Sequence, residues 1–463
     1  MLDGIRNAVE DVVAEASMKI EIDTWPEQTT HGHRIPGSRY TSREFFQQEW
    51  DGMWTQVWLL LGRESELPNP GDWQMEPVGR EEILMVRQID GRVKAFYNVC
   101  QHRGNPLVDG PKGNVRRFVC KYHSWAFMPS GELNFVPDRE DFPEGNPCGK
   151  VRLKELACET FAGFVWVNMD TNCASLKTFL GPIWDAWNAL ELDGWKRVMA
   201  RSAWLPCNWK VVLDNFNESY HVPTVHLAAT PDTDRKKIRS NINTYYKETR
   251  FDLSNEGHNR MVMQGGFGSG STDKEGNIVE PLAGQLRAWD IDPAQFKGNP
   301  EATRPALQAA KRRLGPARGF THYAKVPDEQ LTDAFHYTLF PNFAVSVWAD
   351  GFHFLRARPH PDDPGQCLFD NWWYASPASI GSHSASGGAF IAQDDDAVRM
   401  IDYRNESIGP GIEDDVRVFV TQQRGFRSRG FDGVYLSNQE KRICRYHELI
   451  DGYIDGRLPK KAR

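Results

Sequence analysis

The sequence predicts an α+β protein: a β-rich segment from about Trp73 to Met169, preceded by a helical stretch and followed by a mixed helix and strand region. Three observations carry this reading. EEILMVRQIDGRVKAFYNV (81–99) alternates apolar and polar residues around Asp90-Gly91, a strong hairpin-turn signal. NWKVVLDNFNESYH (208–221) has helical character. HYTLFPNFAVSVWADGFHFLRAR (336–358) and CLFDNWWYA (367–375) then return to short apolar strands.

Taken in order, the first sixty residues read as helical and connecting. MLDGIRNAVEDVVAEASMKI resembles an amphipathic helix, with no run apolar enough for a signal peptide or a membrane span. Thr41 and Glu44 have capping-box spacing ahead of a helix carrying Phe45, Phe46 and Trp50. FVC (118–120), WAF (125–127), the Pro-Ser-Gly turn at 129–131 and GFVWVNM (163–169) continue the β-rich segment. Residues 250–330 read as a long irregular stretch. Within it, MQGGFGSGSTDKEGN (263–277) is the most linker-like segment and lacks a true G-x-G-x-x-G, which argues against nucleotide binding. Two helices are expected near the C-terminus, the last capped by Ser437 and Glu440.

Length allows two to four domains, and the balance of 40% hydrophobic and 25% charged residues is that of a globular protein. A net charge of −7 without a basic stripe argues against nucleic-acid binding. Eight scattered cysteines form no disulfide framework, which points to a reducing cytoplasm. The Asn-x-Ser triplets at Asn217 and Asn405 then carry no glycosylation meaning.

The chemistry starts with Cys100-Gln-His102 and Cys120-Lys-Tyr-His123. Two such loops on adjacent strands can share one metal centre. Zinc in a closed tetrahedron accepts this donor set. So does a [2Fe–2S] cluster with two thiolates on one iron and two imidazoles on the other, where neutral imidazole raises the reduction potential. The other six cysteines (148, 158, 173, 207, 367 and 444) have no partner spacing and read as buried thiols.

A second set lies in DNFNESYHVPTVH (214–226). On one continuous helix, His221 and His226 would diverge by about 140°. Pro223 is expected to end the helix near His221, letting the turn swing His226 back, with Glu218 on the same helical face as His221. Two histidines and a glutamate taken alone also fit a structural or surface role. Downstream, Asp394-Asp395-Asp396 and Glu413-Asp414-Asp415 are acidic clusters. The second opens a helix on which Asp415, Val418, Phe419 and Gln422 should share a face.

NVCQHRGNPLV and CKYHSWAF closely resemble the two cluster-binding boxes of Rieske domains, and specifically those of the Rieske non-heme iron oxygenases, the ring-hydroxylating family. Arg103, Gly104, Ser124 and Trp125 are part of that match. The resemblance covers roughly residues 40–230 well and the C-terminal half weakly. It implies a β-rich Rieske [2Fe–2S] domain (55–172) with Cys100, His102, Cys120 and His123 as cluster ligands. It also implies a catalytic domain (1–54 and 173–463) whose antiparallel sheet is covered by helices, a helix-grip, START-like fold. NWKVVLDNFNESYHVPTVH resembles the family's catalytic motif, which carries the iron-ligand role to His221 and His226. Two histidines and one carboxylate leave positions open on Fe(II) for oxygen. The family pattern of an acidic pair, then Gln eight residues after the ligand, then Arg-Gly, fits Asp415, Gln423 and Arg424-Gly425, so Asp415 is the expected third ligand ahead of Asp414 and Asp394–Asp396.

In such proteins an acid at the Glu218 position hydrogen-bonds an iron-ligand histidine and reaches the second Rieske histidine of a neighbouring subunit. This implies a relay through His123, Glu218 and His221 in a head-to-tail trimer, α3 or α3β3 with a small subunit. The position is commonly aspartate in ring dioxygenases, whereas glutamate is similar to relatives that oxidise quaternary amines. The resemblance further implies O2 and a small organic substrate, with electrons from NAD(P)H through a separate reductase, with or without a ferredoxin. Lys112, Arg116, Arg117 and Lys121 are the residues expected to steer such a carrier, and Phe216, Asn217, Phe343, Val345 and Trp348 to line the substrate pocket. A pure electron-transfer Rieske protein and a zinc-stabilised binding module are the competing classes.

Overall fold

Two large sheets, each antiparallel over most of its strands, organise the chain in a computed structural model that describes residues 34–226, 250–253, 257–263, 272–380, 397–409 and 411–459. The expected N-terminal amphipathic helix, Asp394–Asp396 and most of the linker-like segment lie outside the described residues.

The first sheet has seven strands between Leu59 and Asn168, including the hairpin of Glu81–Arg87 and Val93–Tyr97. Its turn holds Gly91 at φ +84, a backbone conformation glycine adopts without a Cβ clash. A three-stranded sheet (Phe118–Val119, Ala126–Phe127, Leu133–Phe135) closes over one end and encloses its own apolar core of Leu84, Phe96, Leu107, Phe118 and Phe127.

The second sheet has eight strands: β1 Lys196–Leu205, β2 Arg250–Leu253, β3 Asn259–Met263, β4 Ala334–Leu339, β5 Phe343–Val347, β6 Gly351–Pro359, β7 Cys367–Ala375 and β8 Arg399–Met400. They run in the order β2-β3-β4-β5-β6-β7-β1-β8, antiparallel except for β1 with β8. One face packs on Trp166, Trp187, Trp289 and Tyr323. The other carries α1 (Arg43–Glu49), α2 (Trp209–Phe216), α4 (Ile412–Gly425) and α5 (Lys441–Ile454), and the one-turn α3 (Val222–Val225) follows α2 in the chain. The stretch expected to be irregular also contains the helix Thr303–Leu314, which buries Leu307 and Ala310 three residues apart.

Two buried charge sets hold the parts in place. Arg356 and Arg358 on β6 share Asp370 on β7 at 2.7 and 3.1 Å, and Arg358 also reaches Glu76 of the first sheet at 2.7 Å. Arg356 donates to the Leu60 and Leu61 carbonyls as well, so this network ties the two sheets together. Beneath α2, the fully buried Lys210 and Glu49 pair at 2.6 Å, joining α2 to α1. Lys210→Met leaves the Glu49 carboxylate buried without its cation and should destabilise the fold by about 3–5 kcal/mol. Adding Glu49→Leu should recover most of that loss. Denaturant melts of the single and double variants check this, and a single variant as stable as wild type would contradict it.

The predicted cap at Thr41 shifts by one residue. Ser42 is the N-cap of α1, accepting from the Phe45 N–H at 3.1 Å and donating to Glu44. Ser437 and Glu440 do form a capping box, on the short turn leading into α5.

Candidate metal centres

The two Cys/His loops are built alike. In the first, Cys100 N–H donates to the Asn105 carbonyl (2.8 Å) and Gly104 N–H returns to the Cys100 carbonyl (3.0 Å). In the second, Cys120 N–H donates to the Trp125 carbonyl (2.8 Å) and Ser124 N–H to the Cys120 carbonyl (2.9 Å). Closing each loop needs a left-handed residue four places after the cysteine, Gly104 at φ +76 and Ser124 at φ +57. A serine held there is a mark of backbone strain at a functional loop.

Both cysteines are 2% exposed, while His102 and His123 are half-buried at the rim with ring centroids 4.7 Å apart. The buried Trp125 stacks on His102 at 4.6 Å. Thiols inside and imidazoles outside suit a cluster with two thiolates on the buried iron and two histidines on the exposed one. Around this end lie exposed Val119, Tyr122 and Phe135, together with exposed Lys112, Arg116 and Arg117. Lys121 pairs with Asp109. Of the other six cysteines, Cys207, Cys367 and Cys444 are buried, and Cys148, Cys158 and Cys173 are only partly so.

In the second set the chain takes a different route from the one expected. α2 ends at Phe216, before Glu218, so Glu218 and His221 do not share a helical face. Pro223 does not end that helix. It stands in the first turn of the separate short helix α3, where a missing N–H costs nothing. His221 and His226 bracket this single turn as its two caps, which brings their ring centroids to 5.4 Å. Asp415, on the first turn of α4, places Oδ1 at 3.4 Å from Nε2 of both histidines. One ligand atom from each of the three lies within 4.8 Å of the others, the arrangement a mononuclear metal needs.

Asp414 instead pairs with Arg417 at 3.0 Å and stays 3.9 Å from His226 Nδ1. The buried face of α4 is Ile412, Asp415, Val416, Phe419 and Gln423, so Gln423 rather than Gln422 belongs to it. Gln423 accepts from the Asn208 N–H at the start of α2 (2.9 Å), tying α4 to that helix.

Sequence reasoning missed Asn215, whose Nδ2 donates to Asp415 Oδ1 at 3.1 Å. It is the next-to-last residue of α2, and no linear pattern marks it. Glu218 aims one oxygen at His221 Nδ1 (2.5 Å), while the other accepts the N–H groups of Tyr220 and His221. With Nδ1 held, His221 turns Nε2 toward Asp415. Of the residues expected to line a pocket, Phe343 and Val345 lie in the core on the sheet's other face, whereas Trp348 is partly exposed. Phe216 packs on Phe369 and Phe419.

Burial opposes a charge on His221, but the carboxylates of Asp415 and Glu218 outweigh it and push the pKa up to about 9. Burial likewise raises the Asp415 carboxyl, yet His221 and His226 more than offset this and hold it below the usual range. Because the folded value for His221 lies above its ordinary value, protonated His221 stabilises the metal-free fold fully below about pH 6.5. That contribution is lost as pH rises through about 9. A metal must displace this proton. Fe(II) affinity of the metal-free protein should therefore rise by up to about tenfold per pH unit from about 6.5 to 9, then level off. Anaerobic calorimetry in buffers of different ionisation enthalpy counts the released protons; a pH-independent affinity without proton release would contradict this.

Residues 57–154 match the Rieske [2Fe-2S] domain family, and residues 192–456 match the ring hydroxylating alpha subunit (catalytic domain) family. The chain is 36% identical over 210 residues to the large oxygenase component of the naphthalene 1,2-dioxygenase system of Pseudomonas aeruginosa, covering 43% of this chain and 45% of that protein. The matched stretch thus spans about half the length of such relatives. Biphenyl dioxygenase subunit alpha of Paraburkholderia xenovorans is 27% identical over 404 residues, 84% of this chain and 79% of that one. Among solved structures, naphthalene 1,2-dioxygenase with indole bound superposes with a TM-score of 0.64 at 22% identity, covering 92% of each chain. The quaternary ammonium Rieske monooxygenase CntA, bound to an inhibitor, gives 0.63 at 18%, covering 93% of this chain and 99% of that one. At such identities these likenesses speak for the fold. The two family matches establish that this chain belongs to the ring-hydroxylating alpha-subunit family, with a Rieske [2Fe–2S] domain ahead of that family's iron-binding catalytic domain.

Proposed function

We propose that this chain is the terminal oxygenase of a multicomponent system that hydroxylates a small aromatic or other hydrophobic compound. The observation that carries the proposal is the convergence of His221, His226 and Asp415 on one point, in a chain that also carries two matched Cys/His loops. When bound, the [2Fe–2S] cluster supplies single electrons and the mononuclear Fe(II) supplies oxygen activation. Cys100, Cys120, His102 and His123 hold the first; His221, His226 and Asp415 hold the second.

The balance is one O2, two electrons and two protons per turnover. Both oxygen atoms enter the substrate as a cis-diol, or one enters and the other leaves as water. No flavin or nicotinamide motif is present in the sequence, so the electrons come from NAD(P)H through a separate reductase, directly or by way of a ferredoxin. The exposed basic residues Lys112, Arg116 and Arg117 near the cluster loops suit an acidic carrier. Glu218 bridges His221 to the half-exposed His123 of a neighbouring subunit in a head-to-tail trimer. A second reading, a monooxygenase or N-demethylase acting on a quaternary amine, draws support from glutamate rather than aspartate at position 218.

Metal and sulfide analysis with isotopically labelled O2 tests the proposal across a panel of aromatic acids, polycyclics and betaines. About three irons per chain and label in the product are expected. Two irons and no oxygen uptake would leave an electron carrier, and a colourless zinc protein would leave a binding module.

A further inference from the structure

The helix-covered face of the large sheet changes character along the strands. Under α2 and α4 it is apolar, with Ala344, Leu355, Ala357 and Phe369. Beyond the end of α2, one cross-strand row reads His336 on β4, Ser346 on β5, His353 on β6 and Trp373 on β7, each opposite the next in register. Residues paired in this way project from the same face. The row lies beside the metal ligands: His336 Nε2 meets the Phe216 carbonyl at the end of α2 (2.6 Å), and the Asp415 carboxylate acts electrostatically on His353.

The protons in this row follow from its partners. A carbonyl can only accept, so His336 carries its hydrogen on Nε2 and leaves Nδ1 as an acceptor. Ser346 Oγ, 2.8 Å from that Nδ1, must therefore donate its one hydrogen there and keep only lone pairs. Asn371 Nδ2 donates to the Ile408 carbonyl (2.7 Å), which fixes the amide so that Oδ1 faces His353 Nε2 at 2.5 Å. His353 therefore carries its hydrogen on Nε2. Burial pushes the pKa of His353 down to about 4 and of His336 to about 3, so both stay neutral at pH 7. Nδ1 of His353 has no hydrogen-bond partner among the described residues, and the ring is held flat against Trp373, 4.2 Å between centroids. Trp373 in turn stacks with the partly exposed Trp348 at 5.6 Å.

Resting on the oxygenase reading above, we infer that this sheet floor selects a neutral, flat substrate that presents an N–H or O–H donor, received by His353 Nδ1 with Ser346 Oγ as a second acceptor. Toward the metal ligands the row offers the lone pairs of His353 Nδ1 and Ser346 Oγ, with the Asp415 carboxylate acting on His353. Neither acceptor can pair with a carboxylate, and a plain hydrocarbon would leave both without a donor. The stacked indoles supply the apolar surface for a ring. His353 and Ser346 are thereby specificity residues for the oxygenase.

Indole, indene and benzofuran test this, since they share size and planarity but offer an N–H donor, a methylene and a ring-oxygen acceptor. Binding without O2 and kcat/KM with O2 are measured on the iron-loaded protein, with metal content and the Rieske spectrum monitoring integrity. Indole should bind at least about tenfold tighter than either analogue. His353→Phe should bring the indole-to-indene ratio close to one, and His353→Gln, which keeps an acceptor, should restore part of it. Equal binding of the three compounds, binding of none, or a ratio indifferent to His353→Phe would overturn the inference. Preferential indole binding without oxygenation would instead sink the oxygenase reading and leave the acceptor floor standing.

Discussion

Asp415→Ala is expected to lose the mononuclear iron and reduce turnover by at least about 10³-fold, while the Rieske absorption spectrum and sulfide content stay at wild-type levels. Among the described residues, Asp415 is the one carboxylate whose Oδ1 stands 3.4 Å from Nε2 of both His221 and His226. At 2% exposure it is screened from water, so no solvent ligand replaces it cheaply. Asp414→Ala is the matched control. Its carboxylate pairs with Arg417, and its removal should leave iron content within about twofold of wild type. Iron analysis and single-turnover kinetics on both variants decide the matter. If Asp414→Ala loses iron and Asp415→Ala keeps it, the third ligand has been misassigned.

Glu218→Gln should keep both metals and slow electron delivery to the mononuclear site by about 100-fold or more. Three donors point at this one carboxylate: the Tyr220 and His221 N–H groups and the His221 ring. An amide has only one oxygen, so one of these donors would face an NH2 group, and the negative charge that holds the His221 ring would be gone. Stopped-flow re-oxidation of the reduced Rieske cluster separates this defect from a loss of iron. Re-oxidation at the wild-type rate would remove Glu218 from the electron path and leave it a purely local support for His221. Glu218→Asp adds a second readout, because a shorter acid keeps the charge but retracts the oxygens from the ring.

Much of the cluster end was legible in the sequence because its chemistry is local. Each loop closes on itself within six residues through backbone hydrogen bonds, so Cys100-x-His102 and Cys120-x-x-His123 carry nearly all the geometry they need in their own spacing. The hairpin at Asp90-Gly91 is legible for the same reason. The stretch 208–226 was readable as composition but not as path. Helical periodicity put Glu218 and His221 on one face, whereas α2 stops at Phe216, where its last carbonyl is taken by His336, 120 residues away.

What the sequence by itself determined is the donor inventory: two thiols and two imidazoles in paired loops, two more histidines five residues apart, and two late acidic clusters. Only the tertiary structure shows which acid of the second cluster stands against both histidines. Glu413, Asp414 and Asp415 are neighbours in sequence, but helical rotation of about 100° per residue sends them in different directions, and only Asp415 falls on the buried face of α4 toward α2. The acceptor row of His336, Ser346 and His353 is wholly a product of strand register. Its members come from three strands, and their proton positions are set by the carbonyls of Phe216 and Ile408, which meet the sheet only when helix and strand are packed together. Local spacing can specify a loop that binds metal. The direction a buried side chain faces, and the tautomer it holds, depend on partners that folding alone brings within reach.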